Sequence, residues 1–171
     1  VDIAAHGSGT GFSALAKGLT DIAAASRPVK PKEASQITRA DLTTSDSEHI
    51  VGIDGLAIIV DPTNPVNALS VESLRAIFSG QITNWSELGG ADVPVSIFAR
   101  DEKSGTWDSF KHMVLGKTPL ADGALRFESN NALSDRVSGV RGAIGFVGLP
   151  AVRQSKLIAV SAGDVAALAP D

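Results

Sequence analysis

The 171-residue sequence contains no cysteine and has no long apolar run. The absence of cysteine excludes disulfides, thiolate metal ligands and cysteine nucleophiles. No apolar stretch approaches the roughly 20 residues that a membrane-spanning helix needs, so we expect no membrane span in this chain. The three histidines, His6, His49 and His112, form no i, i+4 pair, and we expect neither a metal site nor a cofactor. No serine-hydrolase elbow or nucleotide-binding loop occurs, so we expect no catalytic residues and no enzyme activity.

The chain also lacks a large excess of charge of either sign, since its formal net charge is only −4. A mildly acidic chain lacks the basic surface that nucleic-acid binding requires, and we expect no nucleic-acid partner. Any anion must therefore be captured by local donors rather than by a general positive field. With 43% apolar residues, the chain has the balance of one or two small globular domains.

Strand and helix patterns alternate along the chain, which predicts an α/β fold with mainly parallel strand pairing. The predicted strands cover residues 1–5, 21–25, 49–60, 93–99, 142–148 and 156–160. The predicted helices cover residues 12–18, 31–37, 70–78, 107–115 and 132–140, with Ser70 as an N-cap. After Ser161 no element is predicted.

Two serine-glycine-threonine turns, Ser8-Gly9-Thr10 and Ser104-Gly105-Thr106, each follow a predicted strand and open a predicted helix. The first backbone N–H groups of a helix have no partner inside it, and the helix dipole adds positive charge there. Glycine lets a ligand approach the backbone closely, and the hydroxyls add donors. Two such turns facing each other would enclose a tetrahedral oxyanion. The alternative is that Ser8 and Ser104 are ordinary helix N-caps.

Two arginines lie at the ends of predicted strands and could grip such an anion through two N–H groups. Arg100 ends the strand predicted at 93–99 and comes four residues before Ser104. Ligands of open α/β sheets bind beyond such strand ends. Arg27 is the second candidate, with a solvated turn residue before Pro28 as the alternative. For Arg100 the alternative is a salt bridge with a neighbouring acid, namely Asp101, Glu102 or Asp108.

Several segments are similar to one known family. They are residues 6–11, 21–28, 73–85, 100–106 and 142–148. Over residues 1–160 the chain resembles the periplasmic phosphate-binding proteins of ABC transporters, which have a type 2 periplasmic-binding domain. The resemblance implies two α/β lobes that close about a hinge over a dehydrated phosphate. It implies that Ser8 binds from lobe one, with Ser26 nearby. From lobe two it implies Arg100, Ser104, Gly105 and Thr106.

The same resemblance implies a partial lobe one over residues 1–55, lobe two over 56–150, and a return segment and tail over 151–171. The chain resembles a family member truncated at both ends, so lobe one would be incomplete. We expect a periplasmic or other extracytoplasmic location, phosphate or a related oxyanion as ligand, and ABC transporter membrane subunits as partners.

Arg27 departs from the family pattern, because well-known members have an aspartate there that accepts a hydrogen bond from protonated phosphate. Selectivity against sulfate is therefore left open. The alternative function is a non-transport interaction or structural domain of a larger envelope protein, which kept the fold and lost or altered ligand binding.

Overall fold

The computed structural model describes residues 7–52, 55–163 and 165–168, with only the backbone described for the last range. The helices are α1 (Ser8–Ala16), α2 (Pro31–Ala34), α3 (Val71–Phe78), α4 (Gly105–Phe110) and α5 (Asn130–Ser138). The strands are β1 (Leu56–Val60), β2 (Ala68–Ser70), β3 (Ser96–Arg100), β4 (Leu125–Phe127), β5 (Ala143–Gly148), β6 (Lys156–Ala162) and β7 (Val165–Leu168). A π-helical turn, Lys111–Leu115, continues α4, and 3₁₀ turns cover Trp85–Leu88 and Leu149–Ala151.

The seven described strands form one sheet in the order β2-β6-β1-β5-β3-β4, with β7 paired to β6. Five strands run in one direction, and β1 and β7 run against them. The prediction of an α/β fold is confirmed, whereas the prediction of mainly parallel pairing is wrong. The reason is that β1 lies between β5 and β6 and is antiparallel to both, and hydrophobic periodicity does not report strand direction.

The centre of the sheet is apolar on both faces, because helices cover both sides. In β1, Ile58 and Val60 pack on the face covered by α3 and α4, while Ala57 and Ile59 pack on the face covered by α5. Strand β5 is buried along its whole length and divides its side chains between the faces in the same way. The sheet is therefore a rigid platform from which the strand ends project.

Several predicted elements are confirmed with small changes of boundary. Ser70 caps α3 by accepting a hydrogen bond from the Ser73 backbone N–H (3.1 Å), and Gly80 follows with a positive φ of 79°. The helix predicted at 12–18 begins earlier, at Ser8, so the glycine-rich turn is itself the first turn of α1. The helix predicted at 31–37 is a single turn, α2.

Other predicted elements are wrong. Residues 21–25 do not form a buried strand; Ile22 is 85% exposed, and the segment pairs with no strand in the described part of the chain. A strand needs a ladder partner, and an apolar run alone does not supply one. In the segment predicted at 49–60, only β1 is a strand, and Ile50 and Val51 are exposed. Strands β2, β4 and β7 were not predicted, and the strand predicted at 1–5 lies outside the described residues.

Candidate anion-binding site

The two serine-glycine-threonine turns lie against each other. The backbone N–H of Gly9 donates to the carbonyl of Lys103 (3.4 Å). A Cβ atom at Gly7 would lie 2.5 Å from the same carbonyl oxygen, so only glycine permits this approach. The start of α1 therefore meets the start of α4, as the sequence predicts.

Ser8, Ser26 and Gly105 meet at the centre of this contact. The Ser8 hydroxyl accepts from the Ser26 backbone N–H (3.1 Å), and the two hydroxyl oxygens are 3.3 Å apart. A Cβ at Gly105 would lie 2.0 Å from Ser26 Oγ and 2.7 Å from Ser8 Oγ. Ser8 and Gly105 are buried, whereas Ser26 is exposed. The structure thus brings three of the predicted residues to one place.

The N-cap alternative holds for one serine and not for the other. Ser104 caps α4, accepting from the Trp107 backbone N–H at 3.4 Å. Ser8 is the first residue of α1 rather than its cap, and its hydroxyl bonds to Ser26 instead. Thr10 donates its hydroxyl hydrogen to the Gly7 carbonyl (2.6 Å), so that hydroxyl is used within α1.

Arg100 ends β3 and is buried, with 6% of its surface exposed. Its guanidinium donates to the carbonyls of Glu128 (2.6 Å) and Phe127 (3.3 Å). It also donates to the Thr106 hydroxyl (3.4 Å) and to the side-chain oxygen of Asn130. All four acceptors are neutral, so they hold the guanidinium in place without cancelling its charge.

The salt-bridge alternative for Arg100 is not observed among the described residues. Asp108 pairs with Arg27 and Lys30, and Glu102 pairs with Arg126 (3.3 Å). The Asp101 carboxylate accepts from the Lys103 backbone N–H (2.8 Å).

Burial lowers the pKa of Arg100, and the nearby charges of Asp101 and Glu128 act in the opposite direction. A guanidinium nevertheless stays charged at neutral pH. The site therefore contains a desolvated positive charge, which an anion would stabilise.

Sequence reasoning missed Asn130, the first residue of α5. Its side-chain oxygen accepts from Arg100 and, at 3.5 Å, from the backbone N–H of Gly148. The sequence signal that could have located this helix start is Ser129, which caps α5 by accepting a hydrogen bond from the Ala132 backbone N–H. The predicted helix began at 132 and therefore passed over this third helix start.

The site lies where the sheet geometry favours a ligand. Strands β3, β4 and β5 run parallel and end at Arg100, Phe127 and Gly148. Ligands of open α/β sheets bind beyond the carboxyl ends of such strands. Helix starts α1, α4 and α5 converge there, each with the positive end of its dipole.

Arg27 lies beside this site, with its donors directed to carboxylates. Nη1 and Nη2 donate to Glu33 (2.8 and 2.7 Å), and Nε lies 2.7 Å from Asp108 Oδ2. The side chain is only 9% exposed, so the interpretation of Arg27 as a solvated turn residue is wrong. The paired carboxylates raise the pKa of Arg27, chiefly because its guanidinium donates hydrogen bonds to Glu33, while burial lowers it.

Comparison with known proteins identifies the family of this chain. The sequence profile of the PBP superfamily domain matches residues 1–169. The chain belongs to the PBP superfamily. The predicted resemblance to this family, and the fold that it implies, are confirmed.

Among curated relatives, protein SphX of Synechococcus elongatus is 31% identical, over 91% of this chain and 48% of the relative. The phosphate-binding protein PstS of Bacillus subtilis is 31% identical, over 94% of this chain and 51% of the relative. This PBP domain thus spans about half the length of these curated relatives.

Solved structures show the same fold. A crystal structure of a Clostridium perfringens protein with bound phosphate superposes with a TM-score of 0.80 and 29% identity, over 90% of this chain and 61% of that one. An ABC-type phosphate transport receptor from Vibrio cholerae has a TM-score of 0.67 and 34% identity, over 93% of this chain and 64% of that one. None of the described helices is long and apolar enough to cross a membrane.

Proposed function

We propose that this chain holds phosphate or a similar tetrahedral oxyanion, as part of an extracytoplasmic solute-binding protein for ABC-type uptake or sensing. The proposal rests on Arg100, whose buried guanidinium is held by neutral hydrogen-bond acceptors where three helix starts meet. An oxyanion there would replace water with backbone N–H donors and a charged partner.

The donors come from both parts of the chain. Ser8 supplies a hydroxyl from α1, and Gly105 and Thr106 supply the start of α4, with Arg100 beside them. Ser104 caps α4 and keeps its first turn in place, while Gly9 keeps the two turns in contact. In this proposal Arg27 and Ser26 border the anion, and no residue performs chemistry on it.

The relatives support the choice of ligand, because the Bacillus protein is named phosphate-binding and the Clostridium structure contains phosphate. They also support an extracytoplasmic location and a transporter as partner, since the Vibrio structure is an ABC-type phosphate transport receptor. We propose the same organisation here, with residues 1–55 in lobe one, 56–150 in lobe two and 151–171 as return segment and tail. A structural domain that lost its ligand is less favoured, because Arg100 would then be buried with neutral hydrogen-bond acceptors and no role for its charge.

Isothermal titration with phosphate, sulfate, arsenate and molybdate tests the proposal. Removing one partner of a desolvated charge pair costs about 2–5 kcal/mol, so Arg100→Ala should weaken binding by roughly 30-fold or more. Lys103→Ala is the matched control; Lys103 is exposed, and its loss should change affinity by about fivefold at most. Arg100→Lys, which keeps the charge and loses the planar fork, should lie between the two.

Circular dichroism establishes that each variant is folded before its affinity is compared. Equal small effects of Arg100→Ala and Lys103→Ala would remove Arg100 from the site. A folded wild-type chain that gives no heat with any of the four anions would refute the proposed function.

A further inference from the structure

Four charged side chains form a cluster next to the anion-binding site: Arg27, Lys30, Glu33 and Asp108. Asp108 forms ion pairs with both cations, with Arg27 Nε and Lys30 Nζ each 2.7 Å from its carboxylate; Lys30 donates a hydrogen bond to it, whereas Arg27 Nε does not. Asp108 is 17% exposed and Arg27 is 9% exposed, so this pair is largely shielded from water. The cluster is therefore more than a surface ion pair, which would contribute little.

Two side chains other than Asp108 hold the guanidinium of Arg27 in place. Glu33 binds it through both carboxylate oxygens (2.7 and 2.8 Å), and the ring of Phe12 lies 5.1 Å from the guanidinium carbon. Glu33 is itself fixed by the backbone N–H of Lys30 (2.9 Å). Because Glu33 and Phe12 orient the guanidinium, Arg27 loses little further entropy by staying close to Asp108.

The cluster joins two distant parts of the chain at the place where the anion would bind. Lys30 and Asp108 are 78 residues apart, and Asp108 lies in the first turn of α4. Arg27 directly follows Ser26, whose hydroxyl lies against Gly105 at the start of the same helix. Fixing Arg27 on Asp108 therefore also fixes Ser26 and, through it, Ser8 over α4.

The negative charge of Asp108 would also act on an oxyanion in the site. The Asp108 backbone N–H donates to the Ser104 carbonyl (3.1 Å), so Asp108 lies in the turn of α4 that begins at Gly105. A bare carboxylate there would repel an oxyanion in a poorly hydrated site. The two cations bound to Asp108 offset that repulsion.

We propose that Arg27 is a positioning residue that raises the affinity for the anion by acting on Asp108, without touching the anion. It fastens the segment that contains Ser26 to α4 and it neutralises the acid beside the site. The proposal rests on the proposed function, and it replaces the expected direct contact between Arg27 and the ligand.

A double-mutant cycle measured by titration with inorganic phosphate tests this role. Arg27→Gln should raise the dissociation constant about 30-fold, because it leaves Asp108 with less neutralising charge and frees the segment. Asp108→Asn added to Arg27→Gln should recover part of that loss, to within about fivefold of wild type, since the repelling carboxylate is gone while the segment stays unfastened. A role of Arg27 confined to fastening the segment would not be rescued by removing Asp108.

Arg39→Gln is the matched control. Arg39 belongs to the same segment, but it is 51% exposed and pairs with Asp21, which is 95% exposed. Its loss should change phosphate affinity by about twofold at most.

The outcomes separate the two proposals. If wild type and Arg39→Gln bind phosphate while Arg27→Gln is unaffected or is not rescued by Asp108→Asn, the role of Arg27 is refuted and the proposed function stands. If folded wild type binds no phosphate, both fail.

Discussion

The close approach of Ser8 and Ser26 to Gly105 predicts the effect of adding one methyl group at Gly105. In Gly105→Ala the new Cβ would lie 2.0 Å from Ser26 Oγ and 2.7 Å from Ser8 Oγ, where real Cβ contacts stay beyond 3.0 Å. Something must therefore move by about 1 Å. Either the two hydroxyls rotate and lose their mutual contact, or the segment that contains Ser26 withdraws from α4.

Both responses weaken the site, and the cost can be estimated. Forcing an extra carbon into a packed contact costs about 1–3 kcal/mol. At about 1.4 kcal/mol for each factor of ten, oxyanion affinity should fall by roughly 5- to 150-fold. The unfolding midpoint should change much less, because the clash can be relieved at the site without disturbing the sheet.

Titration with phosphate and thermal unfolding of the same samples check this prediction. Gly123→Ala is the control, since a Cβ there meets no atom within 4 Å and its φ is not positive. If Gly105→Ala binds phosphate within about twofold of wild type, then the contact between Gly105 and the two serines does not shape the anion site.

Two further predictions concern stability. Gly145→Ala places a Cβ 2.6 Å from Leu133 Cδ2, where α5 crosses β5, and should cost about 1–3 kcal/mol, or roughly 2–12 °C in unfolding midpoint by calorimetry. An unchanged midpoint would show that α5 can shift freely. Arg27 lowers the pKa of Glu33 below its ordinary 4.5, so Glu33 stabilises the fold most above that pH. Glu33→Gln should lower the free energy of unfolding at pH 7, and the deficit should shrink as the pH falls below about 4.5; a deficit that does not change with pH in urea titrations would contradict the pairing.

Local patterns predicted the parts of the fold that local physics determines. Helix α3 could be predicted because Ser70 caps it, Leu74, Ile77 and Phe78 share one face, and Gly80 ends it. Strand β5 could be predicted because it is apolar throughout. In both cases the residues that form the element also contain its start and stop signals.

Pairing could not be predicted, since it depends on which strands meet. The segment 21–25 has an apolar pattern and no ladder partner in the described part of the chain, whereas β7 has a partner in β6 and little pattern. The opposite direction of β1 likewise follows from its neighbours β5 and β6 and not from its own residues.

The candidate site divides in the same way. The glycines and hydroxyls of the two turns were predicted from their own chemistry, and their convergence is observed. Asn130 and the pairing of Arg27 with Asp108 were not, because both contacts join residues at least 30 positions apart that only the fold brings together.

The wide separation of Ser8, Arg100 and Asn130 along the chain has a consequence for folding. No short peptide can contain all three. A partly folded chain in which Ser8 or Asn130 has not yet met Arg100 therefore has no complete site. Bound oxyanion should therefore select the fully folded molecule alone. If this chain binds phosphate as proposed, phosphate at 100 times its dissociation constant would stabilise that state by about 2.7 kcal/mol and would prolong the survival of the protein against heat and proteases.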